Sequence, residues 1–344
     1  MMVRALTLTY AQVDNVGEVL NDLEKASKAL TGVGYPPWTV RVTLPEGVPK
    51  ELTQLLCNSK YLFSAYHRSI NEVRYEELRN LMTCRNAFAT ILMSEWEEAS
   101  EASELLINLV KDLGYDASTR LGFSVGDYVE TPYYPLSTSR RYGASIALRY
   151  VDTALQVLKS SSNLEEASGK LGGILRELET ILNSTFKNLE IPYLGIDLSL
   201  SPWMEESVVP LIEHVSGAAF PNAGSAWGVK ALNSLLGNIA EMHGIRTLGF
   251  NEVMLPVGED NNLMRLVRDG TLRLSHLTFL TAYCLVGVDM VALPGDKNLI
   301  KHVFEDVLAA YEVKRKTVGV RVIPVFNGRE VTISRFGTIP VIST

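Results

Sequence analysis

Gly195-Ile196-Asp197-Leu198-Ser199-Leu200-Ser201 sets three small polar side chains, Asp197, Ser199 and Ser201, on one face of an extended segment and only aliphatic ones on the other. A strand with one wet face would alternate in the same way. The flanks argue for more than that. Leu189 to Tyr193 is apolar and proline-marked, and Pro202-Trp203-Met204 opens a helix-like stretch, which is how a strand inside a layered α/β protein starts and stops. In such a fold helices cover the outer face of the strand, so a polar inner face has to line something. The expectation is a ligand-bearing interior.

Working outward, strand-like alternation recurs at 4–10, 39–44, 62–66, 119–125, 144–149, 193–201, 218–220, 247–256, 287–293, 319–326 and 330–334. Helical spacing of apolar residues fills most intervals: 17–30, 75–82, 94–113, 164–186, 206–215, 229–243, 264–269 and 299–311. Strand followed by helix, many times over, predicts an α/β fold with largely parallel strands, and about ten strands suggest a barrel. No linker or low-complexity stretch divides the chain, since Ser160-Ser161-Ser162-Asn163 reads equally as a helix-capping turn, so residues 1–344 are read as a single domain. The loop from Gly126 to Tyr142, with Pro132, Pro135 and four tyrosines, is expected to be a lid, a dimer contact or an irregular surface crossing.

The 344 residues carry a net charge of −7, and the longest basic run is Lys314-Arg315-Lys316, read as a solvated loop. Nucleic acid and anionic membrane surfaces need a basic patch and are therefore not expected partners. The three cysteines, Cys57, Cys84 and Cys284, are widely spaced and odd in number, so no disulfide framework or Cys-x-x-Cys site is predicted, and Cys284 reads as a buried inert thiol. No signal-like opening and no apolar run long enough for a membrane span is found, which gives a cytoplasmic expectation.

Other strands share the polar-inside pattern. Arg41 and Thr43 alternate with Val40, Val42 and Leu44; Arg120 and Ser124 with Leu121, Phe123 and Val125; Glu252 sits among Phe250, Met254 and Leu255. If these faces converge, the interior holds arginines and carboxylates that tolerate burial only when paired with each other or engaged with a ligand. A polar pocket and a salt-bridged core both satisfy this. Polar strand-to-helix turns, Asn222-Ala223-Gly224-Ser225, Gly258-Glu259-Asp260-Asn261-Asn262 and Pro294-Gly295-Asp296, lie where ligands of α/β folds gather, and Gly224-Ser225 opens a helix that could hold an anion. The five histidines lack metal-binding spacing, Gly169-Lys170-Leu171-Gly172-Gly173 lacks phosphate-loop spacing, and dinucleotide and nucleophile-elbow motifs do not occur. Neither a metal nor a cofactor is called for.

The C-terminal half resembles the family called domain of unknown function 711. The residues that carry the resemblance are Asp197 to Pro202 with Ser207 and Val208, Leu255 to Asp260 with Met264, Asp269 to Leu272, Cys284 to Pro294, Val320 to Pro324 and Phe336 to Val341. The first half matches mainly in Val3 to Thr7. The resemblance implies a ten-stranded α/β barrel like that of pyruvate formate-lyase and other glycyl radical enzymes, as a homodimer, and it implies no known activity. Such enzymes need a C-terminal glycine loop, whereas Arg321-Val322-Ile323-Pro324 has proline where the radical glycine would stand. Radical chemistry is not expected, because fold alone does not carry function.

The resulting expectation is a non-radical enzyme acting on a small polar or acidic metabolite, with Asp197, Glu252 and Asp289 as general acid/base candidates. Ser199, Ser201, Asn222, Ser225, Glu259 and Asp260 would contact the ligand, and Arg41 would clamp an acidic group. A metabolite-binding or regulatory protein without turnover, or a structural homodimer, would draw on the same residue types.

Overall fold

A computed structural model describes residues 1–13, 15–283 and 287–344, so the reading of Cys284 lies outside the described residues. Eleven strands are described: β1 (Met2–Thr9), β2 (Thr39–Thr43), β3 (Leu62–Ser69), β4 (Ala87–Met93), β5 (Leu121–Val125), β6 (Gly143–Arg149), β7 (Tyr193–Asp197), β8 (Val288–Pro294), β9 (Val318–Val325), β10 (Glu330–Ile333) and β11 (Gly337–Pro340). Nine form one sheet in the order β7-β6-β1-β2-β3-β4-β5-β9-β8, and β10 and β11 make a separate ribbon. β1 through β5 run parallel to their neighbours; β6 joins β1 and β9 joins β5 antiparallel, while β6–β7 and β8–β9 are again parallel.

Helices cover the outer face because their apolar stripes have nowhere else to go. The helix Glu98–Leu113 buries Ala102, Leu106, Leu109 and Val110, at about 1.5–3 kcal/mol for each large aliphatic side chain removed from water. One hydrophobic cluster takes in buried residues from Val3 to Ile342. No described helix is long and apolar enough to cross a membrane.

Four expectations are corrected. The stretch 247–256 is not a regular strand: Gly249 and Asn251 adopt positive φ (76° and 58°) and break the pleat, leaving single parallel bridges from Thr247 to Ile196, Val253 to Leu200 and Pro256 to Asp289. Residues 218–220 form a turn, since left-handed Gly217 closes the helix Val209–Ser216 and the next helix begins at Ser225. β4 was hidden because Ala87 to Met93 is apolar except for Thr90 and shows no alternation, as befits a strand covered on both faces. Cys57 and Cys84 form a disulfide, brought together by the ends of two helices, Lys50–Cys57 and Tyr75–Met82, that precede the parallel neighbours β3 and β4.

The middle of the loop 126–142 is not the irregular surface crossing that its composition allows. Residues 131–138 are buried, threaded against the inner faces of the strands. Thr7 Oγ1 donates to the Pro132 carbonyl (3.2 Å), Thr90 Oγ1 to the Pro135 carbonyl (2.6 Å), and Thr43 Oγ1 lies 2.7 Å from Ser137 Oγ. Farther along, Ser139 Oγ donates to the Tyr10 carbonyl and Thr9 Oγ1 to that of Arg141. The loop thus plugs the carboxyl ends of β1 and β2. Small polar side chains on the inner face serve here as partners for an irregular backbone that could not otherwise be buried.

Candidate functional site

With the carboxyl ends plugged, the open space lies toward the amino ends of β2 and β3. A cavity of 660 Å³ is walled there by Trp38, Thr39 and Arg41, by Lys60, Tyr61 and Leu62, by Tyr133 and Tyr134 of the plug, and by Arg4, Glu259, Asp289 and Arg321. Phe88, Ser201, Trp203, Phe250, Arg335 and Phe336 complete its principal wall.

Its charged side is a continuous chain of ion pairs. Arg4 Nη2 reaches Glu259 Oε2 at 2.5 Å, Arg321 Nη2 reaches Glu259 Oε1 at 2.7 Å, and Arg321 grips Asp289 with Nε–Oδ1 at 2.7 Å and Nη2–Oδ2 at 3.0 Å. All four side chains are buried. β1, β9 and β8 supply Arg4, Arg321 and Asp289, while Glu259 sits on the turn after Pro256. Burial works against charge on Glu259, but Arg321 and Arg4 outweigh it and hold that carboxyl below its ordinary range. Burial raises Asp289 instead; Arg321 opposes the rise and the neighbouring Glu259 charge adds to it. Two adjacent carboxyls are thus pushed in opposite directions, Glu259 toward the ionised form and Asp289 toward the protonated one.

Arg41 is different. It is buried, yet among the described residues no carboxylate pairs with it: Nε donates to Thr39 Oγ1 (2.9 Å), Nη1 to the Pro132 carbonyl (3.1 Å), and the guanidinium lies 5.1 Å from the Tyr134 ring centroid. Burial, with the Arg4 charge adding, brings its pKa down to about 10, so it remains a cation at neutral pH. Glu259 favours the charge from a distance without pairing with it, and a buried cation lacking an ion-pair partner in a cavity wall is costly unless an anion joins it.

The structure gathers Arg41, Ser201, Glu259 and Asp289 of the sequence-predicted residues around this cavity and leaves the others outside its wall. Asp197 and Ser199 are fully buried, which excludes the wet-face reading. Asp197 accepts from Thr131 Oγ1 (2.9 Å), Phe250 N (2.9 Å), Asn251 N (3.0 Å) and both the backbone N and Oγ of Ser199. Glu252 binds Lys314 (2.5 Å) and Lys316 (2.9 Å); of the basic triplet Arg315 and Lys316 are exposed, as its composition suggests, while the Lys314 side chain is buried at the end of a helix. Asp260 caps the helix Asn261–Arg268 through Asn262 N and Leu263 N and also accepts from Val208 N. Asn222 is exposed, and Ser225, at the start of the helix Ser225–Met242, is buried with no partner for its hydroxyl among the described residues. Arg120, read as facing the interior, donates to the carbonyls of Met82, Cys84 and Ala87.

Arg4 and Arg321 were legible as single charges inside apolar strands, Val3-Arg4-Ala5 and Val320-Arg321-Val322, but no spacing rule joins them. Trp38 precedes its strand and Trp203 follows one, and neither carries a signal of its own.

The family model described as Uncharacterised ACR (DUF711) matches residues 142–333. The chain belongs to the DUF711 family. A UPF0210 protein of Desulforudis audaxviator is 35% identical over 168 residues, covering 48% of this chain and 37% of that protein. One from Clostridium acetobutylicum is 32% identical over 176 residues (49% and 39%), and one from Bifidobacterium adolescentis 28% identical over 257 residues (68% and 56%). The matches thus span about two fifths of the length of the first two relatives. The DUF711 match contains Glu259, Asp289 and Arg321; Arg4, Trp38 and Arg41 come from outside it.

Proposed function

We propose that this DUF711 chain takes up a small acidic metabolite in the cavity and acts on it by non-radical acid–base chemistry. The observation that carries the proposal is Arg41, a buried guanidinium in the cavity wall with which no described carboxylate forms an ion pair. The ligand's carboxylate or phosphate would supply the missing charge in a bidentate pair. Asp289, raised by burial, is the group suited to exchange a proton with bound ligand, and ionised Glu259 fixes Arg321 and Arg4 around it. The same reading takes the segment 247–256 as the tenth stave of a barrel like that of pyruvate formate-lyase. Its support is the single bridges that segment makes to Ile196, Leu200 and Asp289 at the two sides of the nine-stranded sheet.

A thermal-shift screen of carboxylate- and phosphate-bearing metabolites, followed by a mass-spectrometric search for product, tests this. Arg41→Met strands no partner charge and should fold. Stabilising acids should lose their effect in Arg41→Met, and Asp289→Asn should bind without turnover. Stabilisation that survives Arg41→Met would overturn the assignment of the site, and a ligand recovered unchanged would favour a metabolite-binding protein instead.

A further inference from the structure

Resting on that reading, we infer that the acid is aromatic: a planar ring bearing one carboxylate or phosphate, with the anion directed to Arg41 and the ring held by the tryptophans of the cavity. Eight of the wall residues are aromatic, in a chain where aromatics make up 8% of all residues. Their arrangement matters more than their number. Trp38 and Trp203 meet edge to face, with ring centroids 4.6 Å apart and planes at 74°, and Phe336 tilts against Trp203 at 5.7 Å. Arg4 lies 5.3 Å from the Trp203 centroid and 5.9 Å from that of Trp38, so its charge polarises both rings.

A pair of indoles fixed at a steep angle, one of them 45% exposed, leaves part of the Trp38 surface on the cavity wall for a ligand ring to contact. Aromatic rings prefer offset or edge-to-face contact, and a flat ligand completes such a cluster where a puckered aliphatic one of equal size cannot. Tyr134, whose hydroxyl donates to the Val42 carbonyl (2.6 Å), sets its ring over the Arg41 guanidinium, and with Thr39 and the Pro132 carbonyl it fixes the cation in the wall. Lys60 and Arg335, both exposed and both on the wall, add positive charge at the rim of a chain whose net charge is −7. Such a local reversal of sign draws small anions toward the mouth.

The test uses the intrinsic fluorescence of the full chain, in which two of the four tryptophans line the cavity. Benzoate and phenyl phosphate serve as aromatic anions, cyclohexanecarboxylate as an aliphatic acid of like size, and benzamide as the neutral isostere. We expect benzoate or phenyl phosphate to quench the signal with a Kd at least tenfold below that of cyclohexanecarboxylate and of benzamide. Arg41→Met should weaken the aromatic anion tenfold or more, and Trp203→Leu should erase the preference for benzoate over cyclohexanecarboxylate, with far-ultraviolet circular dichroism verifying the fold of each variant. Cyclohexanecarboxylate binding as tightly as benzoate, still through Arg41, would overturn the aromatic inference and leave the acid-binding site standing. Benzamide binding as tightly as benzoate would overturn the acid-binding reading, and no binding by any probe would overturn both.

Discussion

The Asp197 carboxylate accepts the backbone N–H of Phe250 at 2.9 Å, and through that bond β7 holds the segment on which Glu252 and the cavity residues Phe250, Met254 and Pro256 are carried. Its other oxygen accepts from Asn251 N and Ser199, and Gly249 is so close that an added Cβ would lie 2.2 Å from Asp197 Oδ2. Asp197 and Ser199 are therefore a clasp that shapes the cavity from outside its wall, while Ser201 lies on the wall itself.

Asp197→Asn should unfasten this clasp. The amide places two donors where Thr131 Oγ1 and Phe250 N now donate, or exposes the same conflict to Asn251 N and Ser199 if it flips. Buried charge-assisted bonds are worth about 1.5–3 kcal/mol each, so a loss of about 3 kcal/mol is expected in urea unfolding. A change below about 1 kcal/mol would show that the clasp does not hold the segment.

The plug depends on strand positions without side chains. A Cβ on Gly122 would sit 2.6 Å from Pro135 Cγ and 2.8 Å from Leu136 Cδ2. Gly122→Ala should cost roughly 1–3 kcal/mol by overpacking. It should also shift the nuclear magnetic resonance signals of Tyr133 and Tyr134, the plug residues on the cavity wall; unchanged tyrosine signals would mean that the plug does not press on β5.

The disulfide makes a prediction in two steps. Denatured, unreduced protein should titrate one thiol, since Cys57 and Cys84 are joined and the sequence has three cysteines. Opening a closure of 27 residues should then cost about 3–4 kcal/mol on chain-entropy grounds, lowering the melting temperature with dithiothreitol or in Cys84→Ser. Three titratable thiols would refute the bond.

His67 gives the pH dependence. Burial drives its pKa from 6.5 down to about 4, against the Leu44 and Ser64 backbone groups, which favour the charged ring; Nε2 lies 3.1 Å from the Leu44 carbonyl. Between about pH 4 and 6.5 the unfolded chain binds a proton that the folded chain does not, so stability falls as pH drops through this window. His67→Phe should reduce the loss of urea midpoint between pH 7 and pH 4.5. An equal loss in both proteins would assign acid sensitivity to other groups.

Periodicity was enough to read the helix Tyr75–Met82 to its ends and to find eight of the nine sheet strands, because amphipathic stripes and alternation are local consequences of where apolar side chains must go. It failed at 247–256, where alternation is present but two positive-φ residues break the backbone, and at β4, where burial on both faces removes alternation. Arg41, Ser201, Glu259 and Asp289 were legible as interior polar groups, while Glu252 and Asp260 carry the same sequence signature and are consumed by Lys314 and by a helix cap.

By itself the sequence determined the α/β alternation, the polar inner face and the family, since each is written in residues near one another along the chain. Only the tertiary structure decided which charged groups pair with one another and which, such as Arg41, meet backbone carbonyls instead. Arg4 meets Glu259 across 255 positions and Arg321 meets Asp289 across 32, whereas Arg41 meets a backbone carbonyl of the plug. Charge pairing depends on distances of a few ångströms between segments far apart in sequence, and the plug that turns the cavity toward the amino ends of β2 and β3 is held by hydrogen bonds to strands that no local pattern connects to it.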